Sequence, residues 1–338
     1  MRRVVLFVIV SLLVACGPAP AAAPSTSGAT PSATAPLKVV TISLPSLSAT
    51  SASLQIAERE GFFAKRGLKV EFTLHSGGPP ALQALIAGAA EATIQITGTT
   101  INAYANGANV VIVAGSQADP DYELYARPEI GSANDLAGKR IATADPGSEY
   151  NTILRKTLAS YGVAADKYEP VNVGSSTMRL AAVLAGAADA TLLSAPQSFE
   201  GEARGLRHLG SSTQAVPKYM FTTLAVRRDW ATANRDTLVS LLRGDIEALT
   251  FMGEPKNRDA VIKHLSEITK TSVDASTKTY DLYIAGPLKG KVYPPGAIVD
   301  RAGMEAVLAI MNEGGLLKKA VKVDDIVDSS YLEAASKP

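Results

Sequence analysis

Two stretches of the chain share one pattern of hydrophobic and polar positions. Residues 84–94 read ALIAGAAEATI and residues 182–192 read AVLAGAADATL. Each pattern predicts an amphipathic helix, a glycine that ends it, an acidic turn and a new apolar strand. Each copy follows a predicted strand and a small polar loop, Ser76-Gly77-Gly78 in the first and Gly174-Ser175-Ser176 in the second. Two like units predict two like lobes, and two repeats are too few for a solenoid.

Strands and helices are predicted to alternate around both copies. The predicted strands of the first half are 37–44, 69–74, 92–97 and 110–114, and those of the second are 122–127, 141–144, 169–173 and 190–193. A strand at 221–227 returns the chain to the first lobe, and helical spacing dominates after Asp229. This order predicts an α/β fold in which each lobe is a doubly wound, mostly parallel sheet with helices on both faces.

The predicted lobes are discontinuous in the sequence. Lobe one comprises residues 37–119 and 222–338, and lobe two comprises residues 120–221. The chain therefore crosses between the lobes twice, and we predict hinge strands near Ser116–Tyr122 and Tyr219–Thr223. A solute that contacts both lobes would shift the population from an open to a closed state.

The N-terminal segment has the pattern of an export signal. Positive residues at the start precede an apolar run at 4–13, and the chain then reads Leu13-Val14-Ala15-Cys16. This pattern looks like a bacterial lipobox, in which Cys16 is lipidated, and the alternative is an ordinary cleaved signal peptide. We predict a lipoprotein signal at 1–16, an Ala/Pro/Ser/Thr tether at 17–36, and a protein anchored by lipid outside the cytoplasm.

The composition and the motifs exclude several classes of function but do not select one. The 338 residues are 46% hydrophobic and 19% charged, with a formal net charge of +1 and no basic stripe, so nucleic acid is not an expected partner. The only cysteine is Cys16, and the three histidines lack metal-ligand spacing. Sequence motifs for a serine elbow, a zinc-protease helix or a phosphate loop are absent. We expect no catalytic residue, metal or cofactor.

The carboxyl ends of the predicted strands lead into loops rich in Ser, Thr and Gly. In open α/β sheets, ligands bind beyond these ends, where backbone N–H groups point outward. Hydroxyls and free amides can donate to a small polar or anionic solute without a full counter-charge. They also commonly cap helices, which is the alternative for each residue alone. The candidate ligand-binding residues are Ser46, Ser48, Ser51, Ser76, Gly77, Thr97, Gly98, Thr99, Ser148, Ser175, Arg179 and Ser194.

Three ionisable residues near these loops have open roles. Arg179 can bind an anion through its planar guanidinium or form an ion pair with Glu149 or Asp145. Glu149 can complement the dipole of the helix it begins, and a purely anionic solute is disfavoured if it faces the cleft. His75 can contact the solute or serve only the structure.

Several short motifs resemble one family in order and spacing. They are Gly61-Phe62-Phe63, Gly67-Leu68-Lys69-Val70-Glu71, Gln83-Ala84-Leu85 with Ala87-Gly88, residues 135–140 (DLAGKR), Arg179-Leu180-Ala181-Ala182, and Ala185-Gly186 with Asp189-Ala190. The chain resembles extracytoplasmic solute-binding proteins of ABC importers, in the nitrate/sulfonate/taurine group that shares its fold with the thiamine-precursor-synthesis-like domain.

The resemblance implies a periplasmic-binding-protein-like fold of type II that closes on a small solute. It also implies a monomer that delivers the solute to a membrane permease with its ATPase. The competing class is an enzyme, since thiamine-pyrimidine synthases and some desulfinases resemble this fold. The effector domain of a transcription regulator shares it too, but the export signal and the missing helix-turn-helix argue against that class.

Overall fold

The computed structural model describes residues 36–144, 148–216 and 219–337. The predicted signal and most of the predicted tether lie outside these residues. The described chain forms two five-stranded sheets flanked by helices. The prediction of an α/β protein with two lobes is therefore confirmed.

The first sheet has one reversed strand. Its members are β1 (Lys38–Leu44), β2 (Leu68–Leu74), β3 (Ala92–Ile96), β4 (Val110–Gln117) and β10 (Thr222–Arg227). They lie in the order β2-β1-β3-β10-β4. Strands β2, β1 and β3 are parallel, and β10 is antiparallel to both of its neighbours. All eight residues of β4 are buried, as expected for a strand covered on both faces.

The second sheet repeats this arrangement. Its members are β5 (Glu123–Ala126), β6 (Arg140–Thr143), β7 (Glu169–Asn172), β8 (Ala190–Leu193) and β9 (Arg207–Ser211). They lie in the order β7-β6-β8-β5-β9, and β5 is the reversed strand. In both sheets the reversed strand is fourth, and it is the first strand after the chain crosses from the other sheet. The sequence did not predict β9, because its half-exposed residues lack an apolar run.

Helices cover both sheets. Those that follow the strands are α1 (Ala52–Arg59), α2 (Gly78–Ile86), α3 (Thr97–Ala105), α4 (Tyr150–Ser160), α5 (Ser176–Leu184) and α6 (Gln197–Ala203). The C-terminal ones are α7 (Arg228–Ala233), α8 (Arg235–Gly253), α9 (Arg258–Thr269), α10 (Val273–Tyr283), α11 (Arg301–Glu313), α12 (Val323–Ile326) and α13 (Ser330–Ser336). Short 3₁₀ turns occupy Ala49–Ser51, Ala64–Arg66, Ala133–Leu136, Ala165–Lys167, Pro255–Asn257 and Pro295–Ala297. None of the described helices is long and apolar enough to cross a membrane.

The two repeat copies fold alike. Helices α2 and α5 each have nine residues, and each ends near a glycine with positive φ, Gly88 at 78° and Gly186 at 72°. The acid three residues later accepts a backbone N–H from the neighbouring strand. Glu91 accepts from Thr41 at 2.7 Å, and Asp189 accepts from Arg140 at 2.9 Å. The acidic turn thus joins helix, turn and sheet in both copies.

The two crossings run side by side. The backbone N–H of Phe221 donates to the carbonyl groups of Gln117 and Ala118, at 3.0 and 2.8 Å. Beside them, the buried Asp121 accepts hydrogen bonds from Gln117 Nε2 and Tyr283 OH. Burial raises the pKa of Asp121. This junction lies where the hinge was predicted, and hinge motion and the lobe boundaries stay predictions.

Candidate functional site

A cavity of about 80 Å³ lies between the loops at the carboxyl ends of the two sheets. The first sheet supplies the loops after β1 and β2 together with β3, the start of α3 and the start of β10. The second sheet supplies the loops after β6, β7 and β8. The lining residues are Pro45, Ser46, Ser48, Thr50, Gly77, Gly78, Ile94, Gln95, Ile96, Thr99, Tyr122, Ala144, Ser148, Tyr150, Gly174, Ser175, Ser176, Arg179, Ser194, Phe221 and Thr222.

Arg179 is placed by the periodicity of α5. Ser175 caps this helix by accepting the N–H of Met178, at 3.4 Å. The buried positions that follow are Ser176, Arg179, Leu180 and Val183, which is the inward-facing set of an amphipathic helix. Arg179 is therefore on the face that packs inward, one turn from the cap, and it points into the cavity wall.

The guanidinium of Arg179 is held firmly. Its side chain is 3% exposed, Nη1 donates to the carbonyl of Gly174 at 2.6 Å, and Cζ lies 3.8 Å from the centre of the Tyr150 ring. Among the described residues, Arg179 forms no ion pair with Glu149, whose carboxylate accepts the Gly98 N–H instead, and Asp145 lies outside these residues. Burial raises the pKa of Tyr122, and the charge of Arg179 opposes this rise. A fixed cation thus lies on the wall from lobe two.

Four buried polar atoms on the cavity wall lack a partner among the described residues. They are Gln95 Oε1, Ser176 Oγ, Arg179 Nε and Thr222 Oγ1. The amide nitrogen of Gln95 is used, since it donates to Gly78 O and Thr93 Oγ1, each at 3.1 Å. Three atoms that can donate and one that accepts therefore remain available at a single cavity.

Glu149 joins the lobes beside this cavity. Its carboxylate Oε2 accepts the backbone N–H of Gly98, at the start of α3, at 2.6 Å. Glu149 is 5% exposed, and burial raises its pKa to about 8, whereas the Gly98 hydrogen bond lowers it. A Cβ at Gly98 would overlap this carboxyl group. The side chain thus satisfies a free donor of α3 and does not cap its own helix.

A second hydrogen bond joins the two walls of the cleft. The side-chain amide of Gln197, at the start of α6, donates to the carbonyl of Leu47 at 3.0 Å. Gln197 belongs to the second sheet's layer, and Leu47 follows β1 of the first sheet. Together with the Glu149–Gly98 contact, it shows that the two lobes touch across the cleft.

Eight of the candidate ligand-binding residues line the cavity, and four do not. The eight are Ser46, Ser48, Gly77, Thr99, Ser148, Ser175, Arg179 and Ser194. Of the other four, Ser51 bonds to Gln55 and to Ser48 within its own turn, and Ser76 is exposed. Thr97 contacts Thr223 Oγ1 at 3.4 Å in the strand layer, and Gly98 binds Glu149. For Ser51, Thr97 and Gly98, local structure uses the groups that the sequence offered to a solute, whereas Ser76 faces solvent.

Sequence reasoning did not select Gln95, Ser176 and Thr222. A glutamine inside the apolar strand β3 is a signal that could have been used, because a buried amide requires partners. Ser176 lies in the loop that was chosen, whereas Thr222 had no distinguishing feature at the start of β10. Tyr122 and Tyr150 also line the wall, and His75 does not, since its ring lies beside Thr73.

Other parts of the structure do not offer the same chemistry. A larger pocket of about 520 Å³ lies at the lobe junction, between β5, α6 and residues 282–292. Its lining atoms do not include an unpartnered buried polar group, so we place the candidate site at the smaller cavity. Among the described residues, no group of three or more His, Cys, Asp or Glu side chains is arranged to hold a metal ion.

Comparison with solved structures defines the class of fold. The ligand-binding component of an ABC-type import system from Staphylococcus aureus, solved with zinc bound, is 16% identical with a TM-score of 0.74, over 88% of this chain and 99% of that one. The periplasmic nitrate-binding protein NrtA from Synechocystis PCC 6803 is 16% identical with a TM-score of 0.74, over 89% and 88%. The desulfurization enzyme DSZB is 16% identical with a TM-score of 0.64, over 88% and 98%. The fold is that of two-lobe periplasmic binding proteins, and it also occurs in an enzyme.

The family follows from the sequence match. A family model described as NMT1/THI5 like matches residues 48–256, and the chain belongs to this family. YtlA from Bacillus subtilis, which is named a binding protein, is 22% identical over 292 residues, covering 83% of this chain and 85% of its own length.

Proposed function

We propose that this protein is the solute-binding protein of an ABC importer and that it holds a small polar anion between its lobes. The observation that carries the proposal is the set of four unpartnered polar atoms on one cavity wall. Buried polar groups in proteins almost always have partners, and leaving one unpaired costs about 1–3 kcal/mol. A bound solute would supply the missing partners.

The charge around the cavity favours an anion. Arg179 is the only charged side chain among the described residues that line it. Glu149, just off the wall, has a pKa of about 8, so its carboxyl group is mostly neutral at pH 7. A guanidinium with hydroxyl donors suits nitrate, sulfonate or carboxylate groups. The relatives support this reading, because NrtA is named a nitrate-binding protein.

The proposed mechanism is capture by closure. The lobes, residues 37–119 with 222–338 and residues 120–221, would rotate about the paired crossings. The solute would bind Arg179 and Ser176 of lobe two, and closure would add the Thr222 hydroxyl of lobe one. The free Oε1 of Gln95 only accepts hydrogen bonds, so it would pair only with a solute that also carries a donor, such as the O–H of bicarbonate. Such a solute stabilises the closed form by its extra contacts there. The closed lobes, as a monomer, would then dock on the permease and its ATPase, as the import system of the S. aureus relative suggests.

A binding role accounts for the wall better than an enzyme role. DSZB has a similar fold, so the fold alone does not decide between them. The described lining residues include serines and tyrosines but no Cys, His, Asp or Glu, so the lining itself supplies no neighbouring base of these types that would activate a hydroxyl as a nucleophile. The single cysteine of the chain is Cys16, which lies in the predicted signal.

We propose an extracytoplasmic location with a lipid anchor on Cys16. The positive start, the apolar run and the sequence before Cys16 support it, and the low-complexity composition of segment 17–36 is typical of a tether. Metabolic labelling with a fatty acid should mark the chain and should fail to mark the Cys16→Ala variant. Labelling that persists in that variant would contradict the anchor.

The binding proposal is tested with a panel of small anions. Purified protein is mixed with nitrate, methanesulfonate, formate and bicarbonate, and with uncharged and cationic solutes of similar size. A solute at about 100 times its Kd should stabilise the fold by about 2.7 kcal/mol and raise Tm. Calorimetry should give one site per chain, and X-ray scattering should report a more compact particle.

A matched pair of variants locates the site. The double variant Ser176→Ala with Thr222→Val should weaken binding at least tenfold, because it removes two donors. Thr277→Ala, on the exposed side of α10, removes a hydroxyl far from the cleft and should not change Kd. Binding restricted to cations, or conversion of a bound solute to product by NMR, would overturn the proposal.

A further inference from the structure

Glu149 is a buried acid that forms no ion pair with any cation among residues 36–144, 148–216 and 219–337. One carboxylate oxygen accepts the Gly98 N–H of the other lobe, and the second, Oε1, is buried without a partner among the described residues. Gly98 leaves no room for a side chain at this point, so the carboxyl group and the start of α3 fit closely. The burial of Glu149 therefore depends on contact between the lobes.

Among the residues that the structure describes, which exclude 145–147, few charged or titratable groups lie on the elements around Glu149. Helix α3 has none in its first turn, which reads Thr97-Gly98-Thr99-Thr100. Helix α5 presents Arg179, which is engaged with Gly174 and the Tyr150 ring. The crossing adds Tyr122, whose ring packs edge to face on the ring of Tyr150, and burial raises the pKa of Tyr122. For Glu149 itself the two influences on the pKa are burial and the Gly98 hydrogen bond, and no neighbouring charge offsets the burial.

We propose that Glu149 links solute capture to proton uptake: its carboxyl group gains a proton as the lobes close over an anionic solute. This inference rests on the proposed function. The open cleft would leave the carboxylate in water beside Ser148, and closure would move it from water into contact with Gly98. The proton compensates part of the negative charge that the solute brings into the cleft. Glu149 is thus a positioning residue for closure, not a direct solute ligand.

The sign of the pH dependence follows from the two states. An exposed glutamate has a pKa of about 4.3, whereas the pKa of Glu149 in the closed form is about 8. Between these values the closed form holds more protons, so raising the pH disfavours it. Kd for the anion should rise up to about tenfold per pH unit between about pH 5 and pH 7.5.

The experiment counts protons during binding. Nitrate or methanesulfonate, whichever binds in the panel, is titrated by calorimetry at pH 6.5 in two buffers with different ionisation enthalpies. The wild-type protein should take up about one proton per solute. The isosteric variant Glu149→Gln should still bind, with a proton number near zero and a Kd that is almost independent of pH. Asp121→Asn should retain the uptake, because that carboxyl group is buried in the hinge itself.

Carbon NMR of the glutamate carboxyl groups is the second readout, and it does not require a variant. One resonance should titrate with a pKa well above the others only when the anion is present. Binding without proton uptake, or uptake that survives Glu149→Gln, would overturn the inference and leave the proposed function intact. Failure of every anion to bind at any pH would overturn both.

Discussion

The two repeat copies have one scaffold and two different N-terminal turns. Gly88 and Gly186, Glu91 and Asp189, and Thr93 and Thr191 occupy equivalent places 98 residues apart. The threonines even make the same contact, since each hydroxyl donates to a carbonyl of the neighbouring strand, at 2.9 Å from Thr93 to Ser43 and 3.1 Å from Thr191 to Ala142. The shared residues are those that hold the helix on the sheet.

The difference is confined to the start of the helix. In the first copy α2 begins Gly78-Pro79-Pro80-Ala81, and in the second α5 begins Ser176-Thr177-Met178-Arg179. Arg179 occupies the position of Ala81, which is fully buried. One lobe therefore presents a cation and the other presents only neutral groups. The comparison indicates that packing of the helix on the sheet requires the glycine, the acid and the threonine in both copies. The first helical turn is not constrained in this way, so its residues can differ between the copies and can serve to bind a solute.

The largest predicted effect comes from removing the cation that distinguishes the copies. Arg179→Met should weaken anion binding about 100-fold, because charge-assisted hydrogen bonds to a desolvated anion are worth about 1.5–3 kcal/mol. Arg179→Lys should retain part of the affinity, since it keeps the charge and loses the planar donor set. Calorimetric titration of the solute measures both values.

The control for Arg179 is Arg204→Met, which removes an exposed guanidinium at the end of α6. It should leave Kd unchanged, since long-range charge effects at a surface are screened by salt. Unchanged anion affinity in Arg179→Met would show that the two copies are equivalent in function, and the proposed role of lobe two would be wrong.

The second prediction concerns the stability that Glu91 and Asp189 provide, since the two acids occupy equivalent positions in the two copies. Asp189→Asn should cost about 2 kcal/mol of unfolding free energy, because Asp189 accepts from Arg140 N at 2.9 Å and from its Nη2 at 2.8 Å. Glu91→Gln, which weakens one backbone bond to Thr41, should cost about 1 kcal/mol. Urea unfolding at pH 7 measures both.

The pH dependence of the Asp189 variant gives a further check. The hydrogen bond from Arg140 holds the pKa of Asp189 below its ordinary value. The folded state therefore binds fewer protons than the unfolded state, and the stabilisation is present above the ordinary pKa of about 3.9 and is lost as the pH falls through the folded value. The stability difference between wild type and Asp189→Asn should be full at pH 7 and should shrink as the pH falls below about 3.9. A difference that does not change with pH would contradict a role for the charge.

Much of the fold could be predicted because its signals are local. The spacing of Leu82 and Leu85, and the glycine after each helix, are enough to place α2 and α5 and the strands that follow. The hydroxyl-rich loops could be placed at one edge, because parallel strands end together. The contact of Glu149 with Gly98, 51 residues away, could not be predicted, since it depends on how the lobes meet. Gln95 differs from Glu149 in this respect, because a glutamine inside the apolar strand β3 was a local signal that could have been used.

The last prediction tests whether Gly88 and Gly186 are equally important to the scaffold. Gly88→Ala and Gly186→Ala should each cost about 1–2 kcal/mol of unfolding free energy, because an alanine at φ of 78° or 72° is strained. The two costs should be similar, since an added Cβ at Gly186 would lie 2.8 Å from Nη1 of Arg127, the end of a partly exposed side chain that can move aside, and one at Gly88 would lie 3.4 Å from Arg227 Nη1. Gly253→Ala, at the end of α8 with open space around it, should be neutral in the same urea titration.

Anion affinity should not change in any of the three variants, because none lines the cavity. A loss of affinity in one glycine variant alone would show that the helix end, and not only its first turn, separates the functions of the copies.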